Sequence, residues 1–201
     1  MTTPTAVIVL AAGAGTRMKS SLPKVVHPVV GRSMIGHALH AAAGTHPDHL
    51  VAVVRHQREL VAAEILRNNP DVIIADQDDI PGTGRAVQCA LDELLRRGHS
   101  LSGTILVTYG DVPMLDADTL NALVRSHDER GATVSVLTTI VDDPTGYGRI
   151  IRDDASGDVC RIVEQKDASE AERQISEINA GIYAFDGEFL RDRSEEHTSE
   201  L

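Results

Sequence analysis

Along the chain, short apolar runs alternate with mixed stretches whose apolar residues recur every three or four positions. Thr5 to Leu10 (TAVIVL) has the length and continuity of a buried strand and breaks into the Gly/Ala segment Ala11 to Thr16. Ser33 to Ala43 has helical character, Leu50 to Val54 reads as a strand, Glu59 to Arg67 again as a helix, and Val72 to Ala75 as a further strand. Val87, Leu91, Leu94 and Leu95 give helical spacing to Arg85–Arg97, and Thr104 to Thr108 (TILVT) is a central-strand run that stops at Tyr109-Gly110-Asp111. The next helix, from about Asp116 to Arg130, opens with acidic residues that suit its dipole. From Thr133 the pattern turns to strands: Thr133–Val141, Gly148–Arg152, Val159–Glu164 and Ile178–Phe185. Repeated βα units predict an α/β fold with a mostly parallel or mixed sheet flanked by helices, its later strands forming a mixed region that closes over a ligand. Residues 1–190 contain no internal repeat and no linker.

Composition narrows the class. A chain of 201 residues, 42% of them hydrophobic, is expected to fold as one domain with a sizeable core, and 2% aromatics leave no base-stacking platform for RNA. The net charge of −11 argues against a nucleic-acid partner, because a phosphate backbone needs a broad basic face. Charge is unevenly distributed, however. No acidic residue precedes Asp48, whereas Arg17, Lys19, Lys24 and Arg32 do, so the remainder holds 15 basic and 30 acidic residues. A small anion site focused at the N-terminal end of an acidic protein fits that asymmetry. The run Ala6–Ala14 is too short to cross a bilayer and no basic segment precedes it, so a cytoplasmic protein without a membrane partner is expected. Cys89 and Cys160 lack CxxC or His-rich companions and are read as reduced structural thiols; His37 and His40 are read as a solvated helix face.

Several motifs carry candidate chemistry. In LAAGAGTRM, Gly13 and Gly15 follow the first strand, where absent side chains let backbone N–H groups approach a base or phosphates. A tight turn would need the same residues, and the segment lacks both the GxGxxG spacing and the GK[ST] ending of a P-loop. Arg17 and Lys24, bracketing the following stretch, supply the cations that a triphosphate would require. Asp111 ends an apolar strand in TYGDVPML, where open α/β sheets bind ligands; it suits a magnesium ion completed by phosphates and water, or the cap of the next turn. Gly82, Thr83 and Gly84 precede the helix at Arg85 and offer its N-terminus to a ligand. TGYGRI, VEQKDA and EINAGIY place Gly148, Glu164, Lys166 and Asn179 on or beside the late strands.

Together LAAGAGTRM, LPKVVH, QDDIPGTG, YGDVPML, PTGYGRI, IVEQKDA and EINAGIY resemble the bacterial N-acetylglucosamine-1-phosphate uridylyltransferases, across nearly all of residues 5–190. The resemblance implies a Rossmann-like nucleotidyltransferase fold and the transfer of uridylyl from UTP to N-acetylglucosamine 1-phosphate, with release of pyrophosphate, for cell-wall precursor synthesis. It implies that Leu10, Ala11, Ala12 and Gly13 hold uracil and ribose, that Gln77, Gly82 and Thr83 complete the base pocket, and that Arg17 and Lys24 meet phosphates. It also implies that Asp111 binds Mg²⁺ beside Tyr109 and Gly110, and that Gly148, Glu164 and Asn179 recognise the amino sugar. Another sugar-1-phosphate nucleotidyltransferase using dTTP or CTP, or a nucleotide-binding module without activity, would share the N-terminal loop.

Two departures stand out. Pro81 and Arg85 replace the family's usual leucine before GTG and histidine after it. The family's domain also continues past residue 201, adding an asparagine as a second magnesium ligand and then a trimerising β-helix acetyltransferase domain. Residues 1–192 are therefore read as an incomplete uridylyltransferase domain, and Arg193–Leu201 (RSEEHTSEL) as a non-native tail resembling a translated sequencing adapter.

Overall fold

The structure, a computed structural model, describes residues 3–15 and 18–196. The chain divides into two compact units, one comprising residues up to Ser135 together with those from Tyr183, the other Val136–Ile182.

The first unit is built on β1 (Ala6–Leu10), whose five residues are all buried, as expected of an apolar run covered on both faces. A 3₁₀ turn (Lys24–Val26) leads to the short hairpin strands β2 (Pro28–Val29) and β3 (Arg32–Ser33). There follow α1 (Met34–Ala43), β4 (His49–Val54), α2 (Arg58–Asn68), β5 (Ile73–Asp76), α3 (Thr83–Arg96), β6 (Thr104–Tyr109) and α4 (Ala117–Arg130). β5, β4, β1 and β6 lie side by side in that order, all parallel. Numbered along the chain, the order of parallel strands is third, second, first, fourth, the arrangement that right-handed crossovers to both sides of β1 produce. Registers Leu10↔Val53, Leu10↔Tyr109 and Val54↔Asp76 bring the four carboxyl ends to one edge.

Side-chain alternation splits the strands between two helical layers. Ala6, Ile8 and Leu10 of β1, with Val51, Val53, Ile105 and Val107, pack on Ala86, Val87, Ala90, Leu91 and Leu94 of α3. The opposite face is covered by α1, α2 and α4. Ser33 caps α1 by accepting the Gly36 N–H at 3.2 Å, and Asp116 caps α4 by accepting that of Thr119 at 2.8 Å. The N-cap of α3 is Gly82, so this helix starts two residues before the expected Arg85 and takes Thr83 and Gly84 into its first turn.

In the second unit, β8 (Arg149–Arg152) pairs antiparallel with β9 (Val159–Val163), and β10 (Glu177–Asp186) pairs with β8 at Ile178↔Arg149. β7 (Val134–Ile140) pairs β10, and α5 (Glu170–Arg173) opens on a capping box formed by Ser169 and Glu172. The last four residues of β10 return to the first unit and pair antiparallel with β6, before α6 (Gly187–Glu196). No helix among the described residues is long and apolar enough to cross a membrane.

His37 departs from the expected solvated face: it is half-buried and its Nε2 lies 2.8 Å from the Val29 carbonyl, tying α1 to the hairpin. Both cysteines are free, Cys89 half-buried and Cys160 exposed.

Candidate active site

At the carboxyl edge of the parallel strands lies a cavity of about 860 Å³, within the roughly 300–1,000 Å³ common for small-molecule sites. It sits where the chain order of the sheet reverses beside β1, the place where open α/β sheets receive ligands.

The loop after β1 presents backbone to this cavity. Leu10 and Ala11 line it, yet they are only 7% and 2% exposed, so their side chains serve the core. Ala11 N–H donates to the Val53 carbonyl and Gly110 N–H to the Leu10 carbonyl, both at 2.9 Å, which extends the sheet by one step. Beyond that step, no hydrogen bond among the described residues engages the N–H groups of Ala12, Gly13 or Ala14, leaving adjacent donors for an anion or carbonyl. A Cβ on Gly13 would meet nothing within 4 Å, so protein packing does not demand a glycine there. Gly15 differs. Its φ is +59° and a Cβ would stand 2.8 Å from that of Lys24. The glycine lets the chain that returns through Pro23 bring Lys24 against the loop.

From that position Lys24 Nζ donates to Asp111 Oδ2 at 2.7 Å, each side chain about one-third exposed (34% and 32%). Such a half-exposed pair contributes about 0–1 kcal/mol to the fold and is cheaply opened by an incoming ligand. A cation and a carboxylate thus meet at the mouth of the cavity, as phosphate and metal binding require. Tyr109 lines the cavity beside them, whereas Gly110 is buried behind: a Cβ there would meet Ile35 Cδ1 at 2.6 Å, so its glycine serves packing. Arg17 lies outside the described residues.

The opposite wall is the segment between β5 and α3, which contributes Gln77, Pro81, Gly82 and Thr83. Gln77 Nε2 donates to the carbonyls of Ile80 at 3.0 Å and Gly82 at 3.1 Å, spending both amide hydrogens on the loop. Asp78 accepts the Ile80 N–H at 3.1 Å, while Arg85 Nε donates to it at 2.9 Å and Arg85 Nη2 makes a further contact; this arginine holds the Asp78 carboxyl below its ordinary range. Gly82, at φ +125° and ψ 150°, takes a turn open only to glycine. Arg85 therefore fastens the loop to the first turn of α3, a task within reach of its long, forked side chain.

Arg55, His56 and Gln57, after β4, also line the cavity and escaped the sequence reading. Gln57 holds a left-handed backbone (φ +47°) and donates from Nε2 to the Ser21 carbonyl at 3.0 Å, bracing the segment that leads to Lys24. The clue was positional: this tripeptide follows a parallel strand, as LAAG and YGD do.

The late set assembles in the second unit. Asn179 N–H donates to the Gly148 carbonyl at 2.9 Å, and a Cβ on Gly148 would stand 3.1 Å from Glu164 Oε1. Asn179 Oδ1 accepts the Gly181 N–H at 2.8 Å. Lys166, 83% exposed, stands apart with Asp167 at 4.0 Å.

A glycine loop, a lysine and a strand-end carboxylate around one cavity are the parts of a nucleotide site, and the pattern of the MobA-like NTP transferase domain matches residues 7–170. The chain belongs to that family. It is a nucleotidyltransferase by descent, and it is similar to larger proteins. The bifunctional protein GlmU of Paenarthrobacter aurescens (strain TC1) is 55% identical over 197 residues, 98% of this chain and 39% of that protein. That of Kineococcus radiotolerans is 54% identical over 189 residues, covering 94% and 38%, and that of Streptomyces coelicolor 52% over 189 residues, covering 94% and 39%. The chain spans about two-fifths of the length of the curated relatives it matches.

Proposed function

We propose that this nucleotidyltransferase joins UTP to N-acetylglucosamine 1-phosphate, giving UDP-N-acetylglucosamine and pyrophosphate, as a cytosolic step toward cell-wall precursors. The observation that carries the reading is the meeting of Lys24 and Asp111, in one cavity, beside glycine-loop N–H groups that no described residue engages.

Support for the base comes from Gln77. With both hydrogens of Nε2 committed, the atom left for a ligand is Oε1, an acceptor. Uracil and thymine carry an N3–H that can donate to it, whereas cytosine presents an unprotonated N3. The acceptor assignment rests on the Gly148, Glu164 and Asn179 group, whose carboxylate and amide suit sugar hydroxyls and an N-acetyl group.

The reaction needs little from side chains beyond alignment and charge. The acceptor phosphate is ionised near neutral pH, so one of its oxygens forms a bond to the α-phosphorus of UTP as the bond from that phosphorus to the β-bridging oxygen breaks in line. Pyrophosphate leaves with the electron pair and no protein base is consumed. Lys24 supplies positive charge to the phosphates once they displace it from Asp111, and the N–H groups of Ala12 to Ala14 hold the nucleotide in place. Arg17 is assigned a second phosphate contact on the resemblance alone.

Magnesium fits the donor set. No group of three or more His, Cys, Asp or Glu among the described residues gathers into a protein cage. Mg²⁺ characteristically takes one or two carboxylates and completes its shell with phosphates and water, which Asp111 at the cavity mouth allows. When bound there, it would neutralise phosphate charge.

The test is pyrophosphate release from UTP with and without N-acetylglucosamine 1-phosphate. Release that needs both substrates and Mg²⁺, and is abolished by Asp111→Ala, supports the proposal. Preference for dTTP or CTP would reassign the nucleotide, and turnover unaffected by Asp111→Ala would remove the metal assignment.

A further inference from the structure

Within the second unit one buried charge makes no direct ion pair among the described residues. Arg149, at the start of β8, is 1% exposed, and a guanidinium keeps its charge at every accessible pH. No ion pair among the described residues includes it, and its Nε has no hydrogen-bond partner. Its two remaining nitrogens are spent on neutral acceptors: Nη1 donates to the Tyr147 carbonyl and Nη2 to Gln165 Oε1, the latter at 2.6 Å. Gln165 Oε1 also accepts the Gly146 N–H at 3.3 Å.

The placement of these contacts points to their purpose. Tyr147 and Arg149 flank Gly148, and Gln165 follows Glu164 directly. The guanidinium therefore clamps the segment that carries Gly148 to the segment that carries Glu164. The antiparallel pairing of β8 and β9 joins these segments only from Arg149↔Val163 inward, so beyond the last pair the arginine and glutamine take over. A salt bridge would hold the arginine more cheaply. Asp143, whose carboxyl is held below its ordinary range first by Thr145 and in lesser part by the Arg149 charge, makes no direct ion pair with it, and Glu164 is likewise in no ion pair among the described residues.

We infer that Arg149, acting through Gln165 and the Tyr147 carbonyl, is a positioning residue that sets the spacing of Gly148 and Glu164 for an N-acylated amino-sugar 1-phosphate. The inference rests on the acceptor assignment made above. It is tested by calorimetric titration of the 201-residue chain with N-acetylglucosamine 1-phosphate and, separately, with UTP. Arg149→Met and Gln165→Leu each remove the clamp, the second also leaving the buried guanidinium short of an acceptor, so the sugar phosphate should bind on the order of 10- to 100-fold more weakly. UTP affinity should stay within about twofold of the unaltered chain, since the nucleotide's candidate residues lie in the other unit. Gln165→Glu keeps an acceptor for both donors and should retain sugar-phosphate binding, which a direct role of the arginine's charge toward the ligand would not allow. Should Arg149→Met fail to fold, Gln165→Leu carries the same comparison.

Unchanged sugar-phosphate affinity in the folded variants, or parallel weakening of both ligands, would overturn the inference while leaving the acceptor assignment standing. If the unaltered chain binds UTP but not the sugar phosphate, the acceptor assignment fails and takes the inference with it.

Discussion

Gly13 and Gly15 stand two residues apart in one loop, and alanine at each should have opposite effects on stability. Gly13 has no positive φ and a Cβ on it would meet nothing within 4 Å. Gly13→Ala should therefore fold without strain and gain about 0.4–1 kcal/mol by restricting the unfolded chain. The added methyl projects where a nucleotide must come close, and overpacking of about 1–3 kcal/mol would weaken UTP binding roughly 5- to 150-fold. At Gly15, φ is +59° and the new Cβ falls 2.8 Å from Lys24 Cβ. Left-handed backbone costs a non-glycine residue about 1–3 kcal/mol, and the contact forces Lys24 away from Asp111. At roughly 2–4 °C per kcal/mol for a chain of this size, Gly15→Ala should lower the melting temperature by about 2–12 °C, whereas Gly13→Ala should leave it unchanged or slightly raised. Thermal melts and UTP titrations of both variants decide the matter. Full UTP affinity in Gly13→Ala would refute the claim that the ligand approaches this backbone, and an unshifted melt in Gly15→Ala would refute the packing argument.

Three further outcomes follow from the same geometry. Lys24→Ala should weaken UTP about 10- to 100-fold but uridine hardly at all, because the lost contact is to phosphate; equal loss for both ligands would contradict it. Arg85→Ala should raise the Kd for UTP several-fold, about 1 kcal/mol, by loosening the loop that carries Gln77 and Gly82, and Arg85→Lys should recover part of it; identical affinities would show that Gln77 alone secures the loop. The imidazoles of His49 and His127 are held below their ordinary 6.5, chiefly by burial, with the charge of His99, whose tilted ring lies against His49, adding to the effect there. Their neutral forms are favoured by the folded chain, so this stabilisation is present above 6.5 and is lost as pH falls below it. The melting temperature should drop between about pH 7 and pH 5.5 and drop less in His49→Gln; a flat profile would speak against the burial argument.

Much of the candidate nucleotide site was legible because its residues sit where strand patterns end. The uninterrupted run to Leu10 and the apolar run stopping at Tyr109 located two carboxyl ends, and the glycines and Asp111 beyond them needed no tertiary information. Arg55 to Gln57 satisfy the same positional rule, but lacking a glycine or a strand-ending carboxylate they passed as ordinary loop. α5 buries no residue, so periodicity had nothing to register, although Ser169 and Glu172 spelled its capping box. The β2–β3 hairpin turns on Val30 and Gly31, both at positive φ; valine is a poor turn former, and propensity pointed elsewhere. Arg149 was beyond reach for a different reason. Composition places arginines at the surface, and only the fold reveals one at 1% exposure between Tyr147 and Gln165.

The central claim, that the cavity beside β1 receives a uridine triphosphate, is tested most directly by titrating the unaltered chain with UTP and with CTP in the presence of Mg²⁺. The geometry of Gln77, Lys24 and Asp111 predicts one UTP per chain and at least about tenfold weaker binding of CTP, whose N3 cannot donate to Gln77 Oε1. No saturable UTP binding, or equal affinity for the two nucleotides, would contradict it.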